Sequence, residues 1–124
     1  MSARILYIED NESNMYLVTF LLEARGHTVS QAWDGRQGVE VALREHPDLI
    51  LLDIQLPFMD GYEIARRLRA ETSLAGVPIV ALTSYAMAGD QEKALGAGCD
   101  GYLEKPINPE TFIASIERFL PSAT

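Results

Sequence analysis

Four short runs in this 124-residue chain end on side chains able to do chemistry. Arg4–Ile8 leads into Glu9-Asp10, the apolar run Leu49–Leu52 into Asp53, and Pro78–Leu82 into Thr83-Ser84. Gly101–Leu103 is followed by Lys105-Pro106. In an open α/β sheet, ligands bind outside the carboxyl ends of the strands, so these groups would share one edge. Three carboxylates close together disfavour one another's ionisation; either some stay protonated or a cation neutralises them. Oxygen ligands with no His or Cys beside them favour Mg²⁺, Mn²⁺ or Ca²⁺ over zinc. Mg²⁺ typically takes one or two carboxylates and completes its shell with water and phosphate oxygens. That pattern suits direct binding by Asp10 and Asp53, with Glu9 behind them, reached through water. A carboxylate beside such an ion can also attack phosphorus and give an aspartyl phosphate. Asp53 ends the most apolar strand and is the candidate nucleophile. Lys105 would neutralise a second phosphoryl oxygen and Thr83 would donate a hydrogen bond to a third, because positioning and charge neutralisation carry most of phosphoryl-transfer catalysis.

The elements that must position these groups are legible as alternating strands and helices. After the strand at 4–8, Met15, Leu17, Val18, Leu21 and Leu22 recur at helical spacing, and Gly26 stands where a C-terminal cap belongs. Thr28–Ala32 reads as a second strand. Asp34 caps the next helix with Gln37 as its capping-box partner, and that helix ends before Pro47. Leu49–Leu52 is apolar on both faces, as a central parallel strand must be. Pro57 and Gly61 mark a loop, and Asp60 with Glu63 opens a helix through about Ala70. A fourth strand at Pro78–Leu82, a polar helix at Ala88–Ala97 and a short fifth strand at Gly101–Leu103 follow. Asn108-Pro109-Glu110 is an N-cap, a proline at the first helical position and an acid in the first turn, before a helix carrying Phe112, Ile113, Ile116, Phe119 and Leu120. Five βα units with right-handed crossovers give a doubly wound parallel sheet with helices on both faces. At this length the chain, 1–124, reads as a single domain.

The chain resembles the response-regulator receiver domains of two-component signalling, the CheY-like family, from Arg4 to Leu120. The resemblance rests on Glu9-Asp10, on Asp53-Ile-Gln-Leu-Pro-Phe-Met-Asp-Gly61, on Thr83-Ser84 and on Tyr102-Leu-Glu-Lys-Pro106, in the family's order and spacing. Glu9-Asp-Asn-Glu-Ser-Asn-Met15, Asp53-Ile-Gln-Leu-Pro57 and Ala86-Met-Ala-Gly-Asp90 look nearer to DivK-type single-domain regulators and to receivers attached to hybrid kinases. The resemblance implies a flavodoxin-like (βα)5 sandwich with strand order 2-1-3-4-5. It implies that Asp53 accepts a phosphoryl group from a histidine kinase or histidine phosphotransfer protein. Asp10 and Asp53 would hold Mg²⁺, or Mn²⁺ in its place, with the backbone carbonyl of Gln55 as a third protein ligand. Lys105 would bind the phosphoryl group before a cis Pro106, and Thr83 and Tyr102 would form a switch pair. The readout would pass through the fourth helix, fifth strand and fifth helix to a downstream protein, since no output domain follows. Gln55 and Tyr85 flank the site and leave the dephosphorylation rate open.

Each residue also has a plainer reading. Glu9 and Asp10 could be solvated acids favoured by a helix N-terminus, Asp53 a cap for the loop after it, and Lys105 a surface lysine. Tyr102 could be core packing with its hydroxyl at the surface. Met59 reads as packing under its loop, Met87 as either a partner contact or a core filler, Trp33 as an edge residue, and Cys99 as a buried filler. His27 and His46 have no metal-like companion. Gly96-Ala-Gly98-Cys-Asp-Gly101 satisfies the dinucleotide-binding pattern, but it closes a helix and leads into a strand, the reverse of the order a Rossmann loop needs. Its glycines read as a cap and turn.

Composition narrows the alternatives. Ten Lys and Arg stand against eighteen Asp and Glu, a net charge of −8. With Glu9, Asp10, Asp53 and Lys105 assigned to the pocket, fifteen acids and nine bases remain, so the rest of the chain is still acidic and repels a phosphate backbone. No signal peptide or membrane-length apolar run is visible, and a cytoplasmic, soluble protein with no direct nucleic-acid partner is expected. A haloacid-dehalogenase-type phosphatase would use similar chemistry. It wants a general-acid Asp two residues after the nucleophile, where Gln55 stands. A phosphorylation-independent scaffold would have no use for the intact acid, hydroxyl and ammonium set.

Overall fold

The computed structural model describes residues 2–56, 60–83 and 89–120. Its elements are β1 (Arg4–Ile8), α1 (Glu12–Ala24), β2 (Thr28–Ala32), α2 (Gly35–Glu45) and β3 (Leu49–Asp53). They continue with α3 (Gly61–Ala70), a 3₁₀ turn (Thr72–Leu74), β4 (Ile79–Thr83), α4 (Asp90–Gly96), β5 (Gly101–Glu104) and α5 (Pro109–Glu117). The five strands form one parallel sheet in the order 2-1-3-4-5, as the resemblance implies.

Strand alternation divides the core in two. Leu6, Ile8, Ile50, Leu52, Ile79 and Ala81 pack with Ile64, Ala65 and Leu68 of α3 and Val39, Val41 and Ala42 of α2. Ala94 of α4 joins them. Ile5, Tyr7, Leu49, Leu51, Val80 and Leu82 point to the other face, against Met15, Val18 and Leu22 of α1 and Phe112 and Ile116 of α5. Every residue of β3 and β4 is buried, which accounts for their unbroken apolar runs.

The caps follow the expected chemistry with small departures. Asn11, Asp34, Asp60 and Asn108 each accept a backbone N–H through the side chain at a helix start. The amide oxygen of Gln37 takes the N–H of Trp33 rather than that of Asp34, so the box closes one residue early. β3, β4 and β5 run one residue further than the sequence suggests, to Asp53, Thr83 and Glu104, because their ladders extend to those residues. α4 ends at Gly96 and α5 at Glu117, short of the helical spacing read through Ala97 and Leu120. Gly98, with φ of 101°, turns the chain from α4 toward β5, so the glycine run is a turn, as its order in the chain requires. Pro57, Met59, Ser84, Tyr85, Met87 and the expected helix start at Ala88 lie outside the described residues.

At the edge remote from the acidic groups, Arg69 ties two connections together, the one from α3 to β4 and the one from α4 to β5. Its guanidinium donates to the carbonyls of Leu74, Ala75, Val77 and Gly98 at 2.9–3.2 Å and to Asp100 Oδ2 at 2.8 Å. Asp100 Oδ2 in turn accepts the N–H of Ile79. The amino ends of β4 and β5 are thereby held against the end of α3.

Candidate functional site

Three strand ends and one loop converge at the carboxyl edge. Glu9 follows β1 directly, and its N–H donates to the Ala32 carbonyl of β2 at 2.9 Å, so this residue continues the ladder. Asp53 closes β3, and Thr83 closes β4 beside it. Lys105 follows β5, and its N–H donates to the Thr83 carbonyl at 2.7 Å. The Lys105–Pro106 bond is cis, as expected. Gly61 starts α3 hard against the chain just past Asp53. A Cβ there would lie 2.4 Å from the Ile54 Cα, so only glycine lets this loop return so closely.

The acids meet. One carboxylate oxygen from each of Glu9, Asp10 and Asp53 lies within 4.8 Å of the other two, Glu9 and Asp53 buried and Asp10 exposed. Lys105 Nζ stands 2.9 Å from Glu9 Oε1 and 3.3 Å from Asp53 Oδ2. The Gln55 N–H donates to Asp53 Oδ1 at 3.0 Å and fixes that carboxylate's turn. Burial, and then the neighbouring Asp53, push the Glu9 carboxyl above its ordinary range, while Lys105 and Tyr7 pull it back. An all-oxygen donor set of this size, open on the Asp10 side, fits a hard divalent cation of the Mg²⁺ kind. Asp10, Asp53, Glu9, Thr83 and Lys105 are thus brought together.

Tyr102 lies apart from the acids, on the β4–β5 side. It pairs with Ala81 across the ladder and packs against the α2–α3–α4 face of the core. Its hydroxyl is enclosed and has no hydrogen-bond partner among the described residues. Burial raises its pKa first, then the charges of Asp90 and Glu104. Thr83 lies close enough to pull it partly back, short of a well-formed hydrogen bond. The ring is therefore packed inward, where a surface hydroxyl was the plainer expectation.

One residue of the site went unremarked in the sequence. Tyr7 is fully buried, and its hydroxyl donates to Glu9 Oε1 at 2.8 Å. Burial, and then the Glu9 charge, raise the phenol's pKa, so it stays a donor. The available signal was its position two residues before Glu9 in a strand, which puts both on one face.

The other candidates settle into structural places. His27 is buried, accepting the Ala3 N–H at Nδ1 and facing Glu117 with Nε2. His46 ends α2 in a left-handed conformation. Cys99 is buried, and Trp33 is partly exposed at the edge.

Comparison with known proteins agrees with this geometry. A family described as the response regulator receiver domain matches residues 5–117. The polar-differentiation response regulator DivK of Brucella ovis is 39% identical over 123 residues, covering 99% of this chain and all of that protein. The chemotaxis response regulator CheY4 of Vibrio cholerae superposes with a TM-score of 0.91 at 30% identity, over 97% of this chain and all of CheY4. The receiver domain of the sensor histidine kinase PA1611 of Pseudomonas aeruginosa has a TM-score of 0.87 at 38% identity. It covers 96% of this chain and 98% of that one, and holds a magnesium ion in its active-site cleft. Among the described residues, no helix is long and apolar enough to cross a membrane. With its matched span, its strand order and its cluster of acids at one sheet edge, this chain belongs to the response regulator receiver-domain family, whose function is phosphorylation-dependent signalling.

Proposed function

We propose that Asp53 is the phospho-acceptor and that this chain is a single receiver domain signalling from the cytoplasm. The observation that carries the reading is the Lys105 ammonium 3.3 Å from the Asp53 carboxylate, with Asp10 and Glu9 beside it. Asp10 and Asp53 would hold Mg²⁺, or Mn²⁺ in its place, with the Gln55 carbonyl as a third ligand and Glu9 reached through water. When bound, the ion supplies positive charge to the attacking carboxylate and the transferring phosphoryl group. An Asp53 oxygen attacks the phosphorus of a phosphohistidine on a kinase or phosphotransfer protein. The new P–O bond forms as the P–N bond breaks, and the imidazole leaves. Lys105 neutralises a phosphoryl oxygen, and Thr83 donates to another.

The phosphoryl group adds charge and acceptor oxygens at the end of β4. Thr83 moves toward it and changes the space that the Tyr102 ring occupies. The state is read by a downstream protein on the α4–β5–α5 face. The module turns over no separate substrate and catalyses only its own phosphorylation and hydrolysis. Mass spectrometry after treatment with acetyl phosphate and Mg²⁺ tests this reading. One labile phosphate is expected, lost in Asp53→Asn and absent with chelator. An unlabelled chain favours the scaffold, and rapid turnover of a phosphate ester favours the phosphatase.

A further inference from the structure

Glu9 is completely buried at the mouth of a cation site, yet its two oxygens are already occupied. Oε1 accepts from the Tyr7 hydroxyl at 2.8 Å and from Lys105 Nζ at 2.9 Å. Oε2 accepts the Asn11 N–H at 3.2 Å. Of these three donors, the Asn11 N–H is backbone and Lys105 already serves Asp53 as well. Among the described residues, the Tyr7 hydroxyl donates to Glu9 alone. Its ring is fixed among the β1, β3 and α1 residues of the second core face, so the hydroxyl cannot follow Glu9 if that carboxylate turns away.

We propose that Tyr7 is a positioning residue that holds Glu9 as the partner of Lys105 and out of direct contact with the metal, and so selects Mg²⁺ over Ca²⁺. The inference rests on the site assignment above. The selection follows from coordination chemistry. Mg²⁺ keeps several waters and takes one or two carboxylates, whereas Ca²⁺ accepts six to eight oxygens in flexible geometry and gains from each added carboxylate. A Glu9 whose Oε1 is taken up by Tyr7 and Lys105 leaves two direct carboxylates, Asp10 and Asp53, which suits the smaller ion. One Glu9 oxygen already lies within 4.8 Å of an oxygen of each, so a Glu9 freed from the Tyr7 hydroxyl needs only to turn to supply the third.

Tyr7→Phe removes the hydroxyl and keeps the ring, and its fold is checked by circular dichroism and thermal melting. Calorimetric titration of the wild type and of Tyr7→Phe with Mg²⁺ and with Ca²⁺ reads the selectivity directly. In Tyr7→Phe the Ca²⁺ affinity rises by about three- to tenfold relative to that for Mg²⁺, the range of one hydrogen bond's worth. In a Glu9→Ala background the same substitution leaves the ratio unchanged, because the two residues act as one unit. An unaltered ratio in Tyr7→Phe, or equal weakening of both ions, overturns the proposal. So does a full effect that survives in Glu9→Ala. The same samples are treated with acetyl phosphate and Mg²⁺. A wild type that takes no phosphate overturns the site assignment and this inference together, whereas a labelled wild type with an unaltered ratio in Tyr7→Phe overturns this inference alone.

Discussion

Lys105 Nζ and Asp53 Oδ2 stand 3.3 Å apart, joined by neither a helix nor a shared strand. β4 separates their strands in the sheet, and Lys105 reaches across its end by way of the Thr83 carbonyl. If that ammonium neutralises charge in the transition state, Lys105→Ala slows Asp53 labelling by acetyl phosphate by about tenfold or more. Mg²⁺ affinity, read by calorimetry, changes far less, because an ammonium is not a metal ligand. Equal losses in both would mean that Lys105 merely supports the pocket.

Thr83 is 2% exposed and lies two residues along β4 from Ala81, the ladder partner of Tyr102. Thr83→Ala is expected to label at a rate within about fivefold of wild type, the range of one hydrogen bond. It should nonetheless lose the change in the Tyr102 aromatic NMR signals that accompanies phosphorylation. A variant whose Tyr102 signals still respond as in wild type would remove Thr83 from the switch.

Arg69 donates to four backbone carbonyls and one carboxylate. Its replacement by Met leaves carbonyls of two turns without donors, and urea denaturation should show a loss of about 2–3 kcal/mol. Arg69→Lys should recover little of it, since a point-like ammonium cannot reproduce the planar fork. Full recovery by lysine would show that charge, rather than geometry, holds these turns.

Glu117 links α5 to Arg25 and His27, and those hydrogen bonds, Arg25 first, hold its carboxyl below the ordinary value of 4.5. The native state then binds fewer protons than the unfolded state in the window below 4.5. The contribution is present above that value and lost as the pH falls through the native pKa. Glu117→Gln should flatten that acid limb in urea melts and lower stability near neutral pH by about 1 kcal/mol or less. An unchanged acid limb would remove Glu117 from the acid response.

What the sequence disclosed depended on whether a residue's partners lie near it in pattern. Leu49–Leu52 announced a central strand because both faces are buried, and the acids at strand ends announced a shared edge because parallel strands all finish there. Arg69 gave no such signal. Its partners are mostly carbonyls, which carry no side-chain identity, and they lie in turns up to 31 residues away. Tyr7 was hidden differently: a tyrosine in an apolar strand reads as filler, and only the packed depth of its hydroxyl beneath Glu9 shows that it is polar in use. α4 closes one residue before Ala97, which still donates to the Lys93 carbonyl as a helical residue would, yet belongs to the turn that Gly98 completes.

The Arg69 staple lies at the amino ends of β4 and β5, while every group in the proposed phosphoryl site lies at the carboxyl ends of the same sheet. Cohesion and responsiveness are thus housed at opposite rims. Substitutions that stiffen the staple rim can raise the melting temperature while leaving the chemistry at the other rim untouched. For this fold, robustness and sensitivity are separately adjustable, and a library that varies only the staple rim explores the first without sampling the second.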